Sequence, residues 1–109
     1  MKAGKKKDTW LELKAKTFKV FADPTRLRIL EALREGEKNV SSIIEKLELK
    51  QSTVSQHLRM LKECGVVSSR KKGREIHYRL KTDKVTKILD DGDELLTLTI
   101  EDLTSCVCP

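Results

Sequence analysis

Apolar and polar residues recur along this chain with two different periods, and the change of period divides it. Between Thr9 and Ala22, Trp10, Leu13, Phe18 and Phe21 stand among lysines at the spacing of an amphipathic helix. The stretch "ADPTRLRILEALREG" follows with clear punctuation. Asp23 can cap, Pro24 suits the first helical position, Leu27, Leu30 and Leu33 make an apolar stripe, and Gly36 supplies the stop. A shorter helix is predicted from Ser41 or Ser42 to Leu47, burying Ile43, Ile44 and Leu47. Another starts at Gln51-Ser52, turns Val54, Leu58 and Leu61 inward, and ends at Gly65.

The period then shortens to two. Residues 66–70 and 76–80 alternate apolar with polar, as half-buried strands do, and Lys72-Gly73-Arg74 lies between them as a turn. The pair predicts a two-stranded hairpin with a basic tip. A last helix starts at Asp83 with Val85, Ile88, Leu89, Leu95 and Leu96 apolar. An interruption is expected near Gly92, and a fade into "TLTIEDLTSCVCP" after it. The fold class is therefore mainly α with a small β-hairpin (α+β). Two short helices around a tight turn, followed by a basic hairpin, define a winged helix-turn-helix. Residues 1–8 read as a basic N-terminal arm, 9–98 as the DNA-binding and dimerisation domain, and 99–109 as a tail carrying a Cys-x-Cys.

Composition sharpens this picture. A chain of 109 residues closes one modest core and gains from a partner subunit. Lys and Arg outnumber Asp and Glu by 23 to 17, and the net charge of +6 suits a polyanionic partner. The charge is also polarised. Lys2, Lys5, Lys6 and Lys7 open the chain and "RKKGR" spans 70–74, whereas after Lys87 only acids appear. A polyanion should therefore sit away from the C-terminal third. No apolar run approaches the roughly 20 residues of a membrane span. No apolar stretch follows the first lysines as a secretory signal would require. A cytoplasmic location is expected, where three cysteines suit metal binding or reactivity better than a disulfide framework.

The helix that opens at Gln51 has the chemistry of a base reader. Gln51, Ser52, Thr53, Ser55, Gln56 and His57 carry amides, hydroxyls or an imidazole able to bond bases or phosphates. Arg70, Lys71, Lys72 and Arg74 on the hairpin would add phosphate or minor-groove contacts. Each feature alone has a plainer meaning: a Ser/Thr/Gln cluster can be only a cap, a basic hairpin only a solvated turn, and His57 only structural. Together and in this order they point to double-stranded DNA.

"FADPTRLRILEALREG", "STVSQHLRMLKECGVV" and "GREIHYRL" closely resemble the arsenic-repressor (ArsR/SmtB) family of metal-responsive repressors over roughly residues 10–98. The resemblance implies a homodimer formed through the first and last helices, operator binding, and release by an inducer. It also implies where an inducer site could lie. One family site is a Cys-x-Cys on the first helix of the helix-turn-helix, where this chain has Asn39 and Ser41. Another uses Asp, His and Glu on the last helix, where Thr82, Lys84, Leu95 and Leu98 stand instead. The cadmium/lead-sensing branch is the nearest match. It uses two cysteines four apart late in the recognition helix and one in the tail. Cys64 matches the second and Cys106 the tail ligand, but Met60 replaces the first, and Cys108 stands in by count.

In an extended tail, side chains two residues apart fall on one side, so Cys106 and Cys108 could share an ion with Cys64, within one subunit or across a dimer. Soft thiolates favour Cd, Pb, Zn, Cu(I) or As(III). Two alternatives stay open. The thiols could instead sense an oxidant or a persulfide, or the protein could be a constitutive winged helix with no inducer. No enzyme is expected, because no nucleophile, base and acid stand together and no glycine loop could cradle phosphate. No small organic substrate is expected either.

Overall fold

The computed structural model describes residues 9–107, in the order α1 (Trp10–Phe21), α2 (Pro24–Arg34), β1 (Lys38–Asn39), α3 (Val40–Leu47), α4 (Gln51–Glu63), β2 (Val67–Lys72), β3 (Glu75–Leu80) and α5 (Asp83–Ser105). The arm expected at 1–8 lies outside the described residues, as do Cys108 and Pro109.

Side-chain caps start most of the helices. Thr9 and Glu12 close a reciprocal capping box on α1. Asp23 accepts from the Arg26 N–H at 2.9 Å, with Pro24 at the first position of α2. Asn39, rather than a serine, caps α3 by accepting from the Ser42 N–H at 2.8 Å, so that helix starts at Val40. Two arginines of α2 then fasten neighbouring helix ends. Arg26 Nε donates to the Val20 carbonyl at 2.7 Å, at the end of α1, and Arg28 donates to the Leu47 carbonyl at 2.8 Å, at the end of α3. Both bonds satisfy carbonyls that a helix C-terminus leaves open.

The core forms where α2, α3 and α4 meet. Ile29, Leu30, Ile43, Val54, Leu58 and Leu61 are fully buried there. Each such side chain contributes about 1.5–3 kcal/mol of burial. The α4 helix ends in a Schellman motif. The Val66 N–H reaches the Leu61 carbonyl at 3.0 Å, the Gly65 N–H reaches that of Lys62 at 3.1 Å, and Gly65 takes φ +79°.

The sheet has three strands in the order β1-β3-β2, all antiparallel. Sequence periodicity gave a two-stranded hairpin. The third strand is only Lys38 and Asn39, paired with Tyr78 and His77. The hairpin is also longer at its tip than expected. Lys72 pairs with Glu75, which leaves a two-residue loop of Gly73 at φ +63° and Arg74. A glycine with positive φ at the first of two loop positions suits the twist of the flanking strands.

The last helix corrects a second expectation. It passes through Gly92 unbroken and continues to Ser105, so residues 99–105 extend α5 instead of unravelling. Their hydroxyls are accommodated by it. Thr97, Thr99, Thr104 and Ser105 each donate to the carbonyl four residues earlier at 2.8–3.0 Å, so the side chains bond within the helix instead of competing with it. Cys106 then leaves the helix with extended backbone, φ −75° and ψ 135°.

Candidate nucleic-acid interface and thiol groups

The α3–α4 pair is a helix-turn-helix whose tight turn runs through Glu48, held left-handed at φ 55°. Val54, Leu58 and Leu61, with no exposed surface, fix one face of α4 in the core. The opposite face presents Gln51, Ser52, Ser55 and Gln56 to solvent, while Thr53 and His57 are half-buried at its edge. None of these six side chains hydrogen-bonds within the protein among the described residues. The helix opens after Lys50, which provides no side-chain cap, although Thr9, Asp23, Asn39 and Thr82 cap the other four helices described. The polar cluster is thus not a capping device, and the first N–H groups of α4 are left for an outside acceptor. His57 lies near enough to Asp23 for its charge to act on that carboxyl. Asp23 is held below the usual carboxylate range chiefly by the Arg26 N–H, then by the charges of Arg26 and His57.

On the wing, Arg70, Lys71, Lys72 and Arg74 are all exposed, but they are not equivalent. Arg70 is bonded through two nitrogens to Glu37, and Lys72 lies 3.6 Å from the same carboxylate. The Arg70 guanidinium is the main cause that holds the Glu37 carboxyl below its ordinary range. Sequence reading missed Glu37. It stands 33 residues from Arg70 in the chain, and no local pattern links them.

The thiols are separated in the described part of the molecule. Cys64 caps the C-terminus of α4, next to the Schellman glycine, and is a free, exposed thiol. It borders a shallow recess of about 250 Å³ with Glu63 and with Leu13, Lys16, Thr17 and Val20 of α1. Met60, one turn earlier on α4, is also exposed. Cys106 is disulfide-bonded, beyond the end of α5. Among the described residues no three His, Cys, Asp or Glu side chains gather into a metal-holding group. Cys64 and Cys106 are not gathered with a third such side chain among the described residues, and Cys108 lies outside them.

A third surface is apolar. A groove of about 630 Å³ lies between α1, α2 and α5, lined by Phe18, Phe21, Leu27, Ile88, Leu95 and Leu96 among others. Beyond it Trp10 and Leu98 are 78% and 81% exposed, and Ile100 and Leu103 continue the apolar surface along α5. Surfaces of this kind mark interaction sites. No helix among the described residues is long and apolar enough to cross a membrane.

The helix-turn-helix, basic wing and long flanking helices define a winged helix-turn-helix fold, and comparison with known proteins places the chain more closely. Residues 23–69 match the description of the bacterial regulatory protein arsR family. The chain is 45% identical over 85 residues to an uncharacterised HTH-type transcriptional regulator of Methanocaldococcus jannaschii, covering 77% of this chain and 96% of that one. It is 35% identical over 75 residues to a probable mercury resistance operon repressor of Streptomyces lividans, covering 69% of this chain but only 60% of that protein. It superposes with a TM-score of 0.73 and 26% identity on a homodimeric winged helix-turn-helix DNA-binding domain from Mycobacterium bovis, a possible ArsR-family regulator, covering 97% and 98% of the two chains. The chain belongs to the arsR family. It is a transcriptional regulator, not an enzyme.

Proposed function

We propose that this protein is a homodimeric repressor that holds operator DNA through α4 and the wing. A soft metal or metalloid on its cysteine thiolates would release it. One observation carries the DNA half. The N-terminal half of α4 exposes amides and hydroxyls with no protein partner among the described residues, on a helix whose other face is locked in the core. Gln51, Ser52, Thr53, Ser55, Gln56 and His57 are the reading set, and cations of the wing add phosphate contacts. The apolar surface along α1 and α5 supports a second copy as partner, as does the homodimeric M. bovis relative. Two-fold symmetry would set the two α4 helices one groove turn apart, roughly 34–36 Å, on an imperfect palindrome. Selection of duplexes from a random library tests this. Recovery of half-sites about 10 base pairs apart supports it, and recovery of no preferred sequence counts against it.

The sensing half rests on Cys64, Cys106 and Cys108. The recess beside Cys64 lies against α1, so ligation there would press on the seam between the reading helix and a dimer helix. Coupling of the usual ~1–3 kcal/mol would lower DNA affinity, and DNA would weaken metal binding equally. Cd, Pb, As(III) and Zn suit such a sulfur set. The mercury repressor relative lends it support. Titration of reduced protein with each ion, followed by thiolate-to-metal ultraviolet absorption, tests it. Cys106→Ser and Cys108→Ser variants that still release DNA with metal would remove the tail from the mechanism.

The disulfide at Cys106 favours a second reading. In that state the sulfur is no thiolate, so reduction must precede metal capture. The same group could report oxidant or sulfide-derived species directly. Mass spectrometry after peroxide or polysulfide treatment, with and without chelator, separates the two.

A further inference from the structure

The outer face of the wing is already occupied by an anion belonging to the protein. Arg70 donates from Nε to Oε1 of Glu37 at 3.0 Å and from Nη2 to Oε2 at 3.1 Å. Lys72 Nζ and His77 Nδ1 each lie 3.6 Å from Oε2. Strand register explains the convergence. Arg70 faces His77 and Lys72 faces Glu75 across the ladder, so these side chains share one face of the hairpin. Glu37 reaches that face from the loop between α2 and β1. Its side chain is 19% exposed, against 60% for Arg70 and 53% for Lys72.

A carboxylate gripping the guanidinium fork through two parallel bonds offers the same two-oxygen geometry as a phosphate. That edge of the fork cannot bind both, so a duplex phosphate must displace Glu37 to take Nε and Nη2 of Arg70. Lys71 and Arg74 differ. Neither is ion-paired among the described residues; Lys71 faces Ile76 on the other side of the ladder, and Arg74 sits in the loop at the tip.

We propose that Glu37 is an internal phosphate surrogate that engages Arg70, with Lys72 beside it, and leaves the wing's contact with DNA chiefly to Lys71 and Arg74. This rests on the DNA-binding reading above. Its consequence is specificity. Phosphate contacts strengthen binding to every sequence alike, so withholding any of them raises the share of affinity decided by α4.

The test is the salt dependence of binding to a random-sequence duplex, with the full chain, followed by fluorescence anisotropy. Each phosphate contact adds about 0.9 to the slope of log affinity against log salt. Glu37→Gln should steepen the slope by that amount for each freed cation. The affinity ratio between 50 and 200 mM salt would then grow about 3.5-fold for one contact and about 12-fold for two. Arg70→Gln alone should leave the wild-type slope unchanged, and the double variant should fall about 0.9 below Glu37→Gln. A slope lost in Arg70→Gln alone would overturn the proposal, because Arg70 would then already hold a phosphate. So would an unaltered slope in Glu37→Gln, or a double variant that keeps the whole gain. If Glu37→Gln does not fold, the Arg70→Gln arm decides alone. Wild-type protein that binds no duplex overturns both this proposal and the DNA-binding reading, whereas wild-type binding with an unmoved Glu37→Gln slope overturns only this one.

Discussion

Arg28 of α2 donates to the carbonyl of Leu47 at 2.8 Å and so ties the end of the first helix of the helix-turn-helix to the helix beneath it. Arg28→Met keeps most of the aliphatic stem but leaves a part-buried carbonyl without its donor. A loss of about 1–2 kcal/mol is expected. In urea unfolding the midpoint should fall with no change in slope, which separates lost stability from a changed unfolded state.

The two faces of α4 should respond to substitution in opposite ways. Leu58 has no exposed surface, so Leu58→Ala should cost about 2–5 kcal/mol in transfer and cavity terms. Ser55→Ala and Gln56→Ala touch only solvent and should move stability by less than about 0.5 kcal/mol. Yet each should weaken a selected duplex by about 1–3 kcal/mol where it bonds a base. Calorimetry and anisotropy on the same samples would check both halves. An affinity unmoved in both surface variants would mean that this face reads no bases.

What could be read from the sequence follows from how local the determinants are. Asp23-Pro24, Gly65 and the Val54, Leu58 and Leu61 spacing act within a few residues, so α2 and α4 were legible with their inward faces. Strand β1 was not. Two residues carry no period, and Lys38 and Asn39 become a strand only because Tyr78 and His77 arrive from elsewhere in the chain. The end of α5 misled for a different reason. Its threonines are poor helix formers by propensity, yet their hydroxyls bond back into the helix they were expected to end. The polar residues of α4 were visible as a cluster, but that Lys50 leaves the helix uncapped required the backbone. The commitment of Arg70 to Glu37 depends on tertiary placement, and no local pattern announces it.

Leu98 is the most exposed large apolar residue on α5, and Leu95 and Leu103 on the same helix are open as well. If a second copy covers this helix, a charge there must be buried unpaired or the copies must part. Leu98→Glu should therefore turn a dimer into a monomer in sedimentation, with the helical signal of the domain largely kept. Duplex affinity should fall with it, since one α4 then reads one half-site. Unchanged sedimentation would place the subunit contact elsewhere.

Acid should loosen the fold through carboxylates that the native state holds in their charged form. Glu35 lies 3.1 Å from Lys46 and 3.5 Å from Lys38, which ties the end of α2 to α3 and β1. Its pKa is lowered, first by the hydrogen bond from Lys46. Glu12 is lowered by the Thr9 N–H of its capping box, and Asp23 and Glu37 are lowered as described. A carboxyl depressed on folding contributes stability above its unfolded pKa, and that contribution is lost as pH falls through the folded value. The thermal midpoint should therefore stay level from pH 7 to about 5 and drop below about pH 4. Glu35→Gln should start from a slightly lower midpoint at neutral pH and lose less on acidification. Salt at 1 M should shrink the difference between the two proteins, because these side chains are largely exposed and their attraction is screened. Parallel curves for wild type and variant would show that Glu35 contributes nothing to the acid transition.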